Sequence, residues 1–180
     1  MTIDKRPFGQ TRDGKEVELY ALKDSGYTVE IITYGAAIRS IHVPVAGGIR
    51  DVALGFDDIE GYEAHKSYQG AVIGRISNRV ANARYKMNGI TYELDVNDGP
   101  NCLHGGFIGL DKQVWSASEE PGALVLSWSK AQLQAQPQIV ARVSGATPGA
   151  KVPHVASLMR ATGLRRAVGS VLLKQAAPPP

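Results

Sequence analysis

Residues 17–22, Val-Glu-Leu-Tyr-Ala-Leu, alternate apolar with polar or amphipathic side chains. A turn at Lys23-Asp24-Ser25-Gly26 follows, and then a β-branched run over residues 27–33. A period of two over such lengths marks strands. Residues 38–43 read as another strand, stopped by Pro44 and turned at Gly47-Gly48, and residues 51–56 as a short extended piece. Residues 68–75 form an apolar, glycine-bearing run that also reads as a strand. The clearest signal is Arg84-Tyr85-Lys86-Met87, then Asn88-Gly89, then residues 90–95. Asn-Gly suits a type I′ hairpin turn because both central residues take positive φ. Tyr92, Leu94 and Val96 fall on one face, and Thr91, Glu93 and Asp95 on the other. A last hairpin runs from Val114-Trp115 through Glu119-Glu120-Pro121-Gly122 to residues 124–128. No helical period is sustained before residue 130. Short strands punctuated by turns predict an all-β antiparallel sandwich or barrel.

After Trp128 the pattern changes. Gln132, Gln134, Gln136 and Gln138 alternate around Pro137, and Ala, Gly, Pro and Arg dominate up to Pro178-Pro179-Pro180. Residues 155–172 allow one amphipathic helix carrying Val155, Leu158, Met159, Leu164, Val168, Val171 and Leu172. Gly163 and Gly169 each weaken it by about 1 kcal/mol. The expected division is residues 1–128 as a β-sandwich portion and residues 129–180 as an Ala/Pro/Gly/Arg-rich tail, disordered or out of frame.

Charge follows the same division. The net charge of +3 sums an acidic part and a basic part. Residues 1–120 hold 13 Lys/Arg and all 17 Asp/Glu, whereas residues 121–180 hold 7 Lys/Arg and no acid. Eleven of the twelve aromatics precede residue 120. The overall basicity is therefore no argument for nucleic-acid binding. No run of 18 apolar residues marks a membrane helix. The N-terminus lacks the apolar stretch of a signal peptide, and Cys102 is alone. These features point to the cytoplasm, with neither a membrane nor a nucleic-acid partner expected.

Cofactor chemistry leaves no trace. There is no P-loop and no GxGxxG, and the histidines (His42, His65, His104, His154) and Cys102 show no metal-ligand spacing, so neither metal nor cofactor is expected. Two polar stretches remain. Gly74-Arg75-Ile76-Ser77-Asn78-Arg79 places an amide, both donor and acceptor, beside a guanidinium with five fixed donors. Such a pair suits a ligand with neighbouring hydroxyls; equally, Arg75 and Arg79 are solvated or paired with Asp57 or Asp58. In "GPNCLHGG", residues 99–106, His104 precedes Gly105-Gly106. The glycines favour access to the ring, although a histidine bonded to a turn backbone would look the same. His42 reads as structural, Asp111-Lys112 as a turn with a surface ion pair, and Cys102 as a half-buried filler.

The run "VALGFDDIEGYEAHKSYQGAVIGRISNRVANARYKMNGITYELDVNDGPNCLHGGFIGLDKQVWSAS", residues 52–118, resembles the aldose 1-epimerases, also called galactose mutarotases. The motifs "LGFDDIEGY", "GAVIGRISNRVA", the Asn-Gly hairpin, "NCLHGG" and "GLDKQVW" occur in the family's order and spacing. "TYGAAIRSIHVP" extends the resemblance, which covers about residues 7–128. Gln69 and Leu110 are small departures, at positions where the family commonly has a hydrophobe and Phe. The resemblance implies a galactose mutarotase-like antiparallel β-sandwich. It also implies a cofactor-free isomerase that interconverts the α and β anomers of a free aldohexose, galactose or glucose. A base takes the C1 hydroxyl proton while an acid protonates the ring oxygen, and the ring opens and recloses. It implies Asn78, Arg79 and His104 as substrate-binding residues, with His104 an auxiliary catalytic group.

The family's principal acid, a second histidine, its basic glutamate and an aspartate that grips the sugar have no counterpart here. No Asp or Glu follows residue 120, and "KVPHVAS" around His154 does not match. The expectation is a truncated, weakly active or inactive chain, poorly soluble or partly unfolded, whose residues beyond about 129 are an out-of-frame extension. Two alternatives stand beside it: a non-catalytic carbohydrate-binding protein, and a protein acting through its basic tail on nucleic acid or an anionic membrane.

Overall fold

The computed structural model describes residues 1–128, 139–144 and 171–175. Five strands form one antiparallel meander: β1 (Thr2–Gln10), β2 (Glu16–Asp24), β3 (Tyr27–Ile32), β4 (Ala37–Val45) and β5 (Gly48–Asp51). A second antiparallel sheet has the order β10 (Ser116–Glu120), β11 (Ala123–Trp128), β12 (Ile139–Ser144) and β13 (Val171–Gln175). Between them in sequence lie one short helix, α1 (Ile59–Ala64), and two ribbons. In one, β6 (Arg79–Val80) pairs with β9 (Cys102–Leu103); in the other, β7 (Arg84–Met87) pairs with β8 (Ile90–Glu93). The expected all-β antiparallel class holds.

Strand β2 explains the layering. Its alternation sends Tyr20 and Leu22 to one side, where they meet Val29 and Ile31 of β3 and Leu124 and Leu126 of β11. Val17, Leu19 and Ala21 go to the other side, against Ile32, Tyr34, Ile59 and Tyr62. The first set is a sheet-on-sheet core; the second is roofed by α1. Trp115, 2% exposed, joins the first core and donates its Nε1–H to the Leu110 carbonyl at 3.1 Å.

The "LGFDDIEGY" motif builds that roof. Asp58 caps α1, its Oδ1 accepting from the Gly61 N–H at 2.8 Å, as a short acidic N-cap does. Ile59 and Tyr62 face inward, and Phe56 meets Tyr62 edge-on at 5.1 Å. Asp57 accepts from Arg39 Nη2 at 2.8 Å, and Arg39 Nε donates to the Phe56 carbonyl at 3.2 Å. Arg39 is free to reach them because the β3–β4 register steps from Glu30↔Ser40 to Ile31↔Ile38, which leaves Arg39 as a bulge residue.

Three expectations change. Pro44 does not stop β4, which runs on to Val45 with Pro44 opposite Ile49. Pairing with β3 ends at His42, so beyond it β4 has only β5 beside it and tolerates a residue without an N–H. Residues 52–56 and 68–75 are not strands. Thr2–Gln10 is a strand although nothing in its charged, proline-bearing sequence alternates cleanly. The expected helix over residues 155–172 lies outside the described residues except for Val171 and Leu172, which are in β13. Among the described residues no helix is long and apolar enough to cross a membrane.

Candidate functional site

The polar stretch around Asn78 follows an extended but unpaired segment pinned by single backbone bonds. Gly70 accepts from the Ile38 N–H at 3.0 Å, Val72 donates to Gly35 at 2.9 Å, and Gly74 accepts from Leu110 at 3.1 Å. These bonds bring the chain past the start of β4 to β6.

The short β6–β9 ribbon then joins the two sequence motifs, with Arg79 opposite Leu103 and Val80 opposite Cys102. One step beyond the ribbon, Asn78 and His104 face each other. The His104 N–H donates to the Asn78 carbonyl at 3.1 Å, and the Asn78 N–H donates to His104 Nδ1 at 3.0 Å. Both residues take left-handed backbone conformations, φ +65° at Asn78 and +54° at His104. Such conformations are uncommon outside glycine, though Asn and His are enriched in them. Tyr68 presents itself edge-on to the imidazole, with ring centroids 4.6 Å apart.

The glycines after His104 are demanded by close approach. Gly105 has φ +91°, and a Cβ there would run into the Gly74 carbonyl oxygen. Gly106 has φ +96°, and a Cβ there would strike the Asp95 carboxylate, which accepts from the Phe107 N–H at 3.0 Å. The backbone turns tightly here, with the Gly106 N–H donating to the Leu103 carbonyl at 3.1 Å.

Arg79 sits beside this pair, its Nε donating to Asp98 Oδ2 at 2.6 Å. Its partner is thus Asp98, on the loop before β9, and not Asp57 or Asp58, which belong to the α1 roof. Arg79 remains 56% exposed at its side chain, so the guanidinium stays open to solvent. Asn97 holds the same loop, bonding both the N–H and the carbonyl of Leu103. Arg75 lies over the Trp128 ring at 5.7 Å.

Asp111 corrects another expectation. It is no surface group: its side chain is 3% exposed, and Oδ2 has no hydrogen-bond partner among the described residues. Lys112 Nζ stands 3.5 Å away as an ion-pair partner. Burial pushes the Asp111 carboxyl above the usual aspartate value, opposed by the nearby Lys112 charge. Burial likewise raises the Tyr68 hydroxyl. Cys102, read as half-buried, is fully enclosed. Tyr68, Asp98 and Asn97 were not legible as site residues, since their partners lie several to many residues away in sequence.

The other histidines lie elsewhere. His42 is in β4 opposite Asp51, His65 packs on Phe56 at 4.7 Å, and His154 is outside the described residues. Among the described residues no group of three or more His, Cys, Asp or Glu is placed to hold a metal.

Comparisons with known proteins follow the same outline. The aldose 1-epimerase family model matches residues 18–138. Galactose mutarotase of Mus musculus is 40% identical over 118 residues, which is 64% of this chain and 34% of that protein. Aldose 1-epimerase of Escherichia coli is 36% identical over 116 residues, 63% of this chain and 34% of that protein. The chain thus spans about a third of the length of the curated relatives it matches. Among solved structures, galactose 1-epimerase from Lactobacillus acidophilus superimposes with a TM-score of 0.63 at 23% identity, covering 79% of this chain and 44% of that one, a likeness of fold. An aldose epimerase homologue from C. elegans gives 0.63 at 26% identity, covering 71% and 41%. With the family model matching well over half its length, the chain belongs to the aldose 1-epimerase family.

Proposed function

We propose that this chain carries the sugar-holding wall of an aldose 1-epimerase site, with Asn78, Arg79 and His104 gripping the hydroxyls and ring of a free aldohexose, galactose or glucose. The observation that supports this reading most is the doubly bonded Asn78–His104 pair at the end of the β6–β9 ribbon. It fixes an imidazole, and the exposed Asn78 and Arg79 follow one another in the chain; their three side chains between them offer donors and an acceptor. A sugar presents clustered hydroxyls, each both donor and acceptor, and such a wall matches them.

Opening a hemiacetal needs a base at the C1 hydroxyl and an acid at the ring oxygen together. His104 is one polar group on one side of the ligand. No Asp or Glu occurs in this sequence after residue 120, where the family's base and sugar-gripping aspartate are expected. The chain therefore binds sugar and by itself turns it over weakly or not at all. The exposed guanidinium of Arg79 keeps a donor fork free for the ligand even while Nε is held by Asp98.

Polarimetry of freshly dissolved α-galactose or α-glucose tests this directly. Sugar binding by the purified chain, lost on Arg79→Ala, with anomer equilibration close to the buffer rate, is the expected result. Absence of binding to both sugars sinks the reading. Rapid equilibration by the chain alone removes the claim of weak turnover.

A further inference from the structure

Asp111 is a buried acid that the sugar-holding wall does not use. It lies in the short turn Leu110–Lys112, which is held from two sides. On one side the Gly35 N–H donates to the Gln113 carbonyl at 2.7 Å, and a Cβ at Gly35 would run into the Asp111 carbonyl oxygen. On the other side the Leu110 N–H donates to the Gly74 carbonyl at 3.1 Å, and Gly109 packs on the Asp111 side chain. A Cβ at Gly109 would lie 2.5 Å from Asp111 Oδ1, 2.8 Å from the His104 carbonyl oxygen and 3.3 Å from the Gly74 carbonyl oxygen. The carboxyl therefore meets the far end of the 104–109 loop among backbone oxygens. Oδ2 has no hydrogen-bond partner among the described residues, and its ion-pair partner Lys112 is partly exposed, so that cation shares its charge with water. The other titratable groups near enough to act on the carboxyl, or to feel it, are His104 on the loop, Tyr34 between β3 and β4, and Tyr68. Burial holds both tyrosine hydroxyls up, that of Tyr34 to about 12, so neither is charged near neutral pH.

An anionic Asp111 is unfavourable in this enclosure, whereas the protonated carboxyl is neutral and has an O–H to offer to nearby oxygens. The loop is the part of the enclosure that can give way. Phe107 and Ile108 are largely exposed, so lifting residues 105–109 bares little apolar surface, while Leu110 and Trp115 stay in the core. We propose that Asp111 is a positioning residue of the site: protonated, it pins the 104–109 loop to the Leu110–Lys112 turn, and ionised, it releases the loop, so that the ligand affinity of the Asn78–Arg79–His104 wall falls as pH rises. The sign follows from burial. The closed loop binds the carboxyl proton more tightly than the open one, so closure is strongest below the ordinary aspartate range and weakens as pH climbs through the elevated value. The Lys112 charge opposes that elevation, so removing it moves the release to higher pH. This assignment deepens the sugar-holding reading and rests on it for the identity of the ligand, but not for the movement of the loop.

The test is amide hydrogen exchange read by mass spectrometry from about pH 5 to about pH 8, corrected for the intrinsic rate at each pH, with calorimetric titration of galactose or glucose alongside. In wild type, protection of residues 104–109 should fall by about threefold or more as pH rises, ahead of any change in residues 19–22 of β2, and sugar affinity should fall with it. Asp111→Asn, neutral at every pH, should keep its loop protection flat. Lys112→Gln gives a second reading should Asp111→Asn not fold, its loop protection falling at higher pH than in wild type. The proposal is overturned by loop protection that stays flat in wild type, falls equally in Asp111→Asn, falls only together with residues 19–22, or falls at the same or lower pH in Lys112→Gln. Sugar affinity that holds constant while the loop loosens overturns it as well. A loop that loosens as expected in a chain that binds neither sugar at any pH upholds the positioning of the loop and counts against the sugar reading alone.

Discussion

Asn97 and Leu103 exchange two hydrogen bonds across six residues. The Asn97 Nδ2 donates to the Leu103 carbonyl at 2.9 Å, and its Oδ1 accepts from the Leu103 N–H at 2.7 Å. One side chain thereby does for β9 what a neighbouring strand would do. Asn97→Ala leaves the Leu103 N–H unpaired in a partly buried place, while the Leu103 carbonyl keeps the Gly106 N–H at 3.1 Å, and is expected to lower unfolding free energy by about 1–3 kcal/mol. Urea denaturation measures it, and a change under about 0.5 kcal/mol contradicts the role given to this side chain.

Gly105→Ala places a methyl group against the Gly74 carbonyl at a backbone φ of +91°. The substitution should destabilise the chain by more than about 1 kcal/mol and abolish sugar binding. Gly122→Ala also has positive φ, at +69°, but meets nothing within 4 Å, and so serves as the control for conformational strain alone. Equal effects of the two on stability would show that the Gly74 contact is unimportant.

Arg79→Lys separates charge from shape. The Arg79–Asp98 pair is largely exposed, so the variant should change stability by less than about 1 kcal/mol. Loss of the planar fork should nonetheless weaken galactose or glucose binding by about tenfold or more, the scale of one charged hydrogen bond. Calorimetric titration of both proteins against either sugar gives the comparison.

Asp111 predicts a pH dependence of definite sign. Its carboxyl is raised above the unfolded value by burial, so the folded state holds the proton more tightly. The contribution is fully present below the unfolded aspartate range and is lost as pH rises through the elevated folded value. Wild type should therefore lose stability relative to Asp111→Asn across that window. Denaturation curves of both proteins at several pH values check it; a difference that stays constant, or moves in favour of wild type with rising pH, rules it out.

Leu54 and Ile108 are 76% and 74% exposed, so their side chains contribute little burial. Leu54→Lys and Ile108→Lys should leave unfolding free energy within about 0.5 kcal/mol. Both should reduce self-association measured by light scattering, since exposed apolar surface favours it.

Strands β2 and β3 and the β10–β11 hairpin stand where alternation placed them, and the largely exposed β7–β8 ribbon stands where its Asn-Gly turn placed it. Strand β1 was hidden because an edge strand with both faces largely exposed is free to alternate Asp4, Lys5 and Arg6, and its pairing is carried by the backbone. Helix α1 is six residues long, too short for a helical period, and only the Asp58 cap announces it. Of the candidate site, what was legible through glycine was its backbone: Gly105 and Gly106 flagged the crowding next to His104. Asp111 was misread because a charged dipeptide resembles a surface turn until Leu110 and Trp115, both buried, draw it inward. Asp98 could not be matched to Arg79 without the ribbon that folds residues 79–80 onto 102–103.

Because β2 lends alternate side chains to two oily compartments, it is a party wall between them. Neither compartment can be flooded without baring the lining it shares with the other, so the sheet-on-sheet layer and the helix-roofed layer rise and fall together. Amide hydrogens of residues 19–22 should consequently be the last to exchange with heavy water, leaving only through opening of the whole described body.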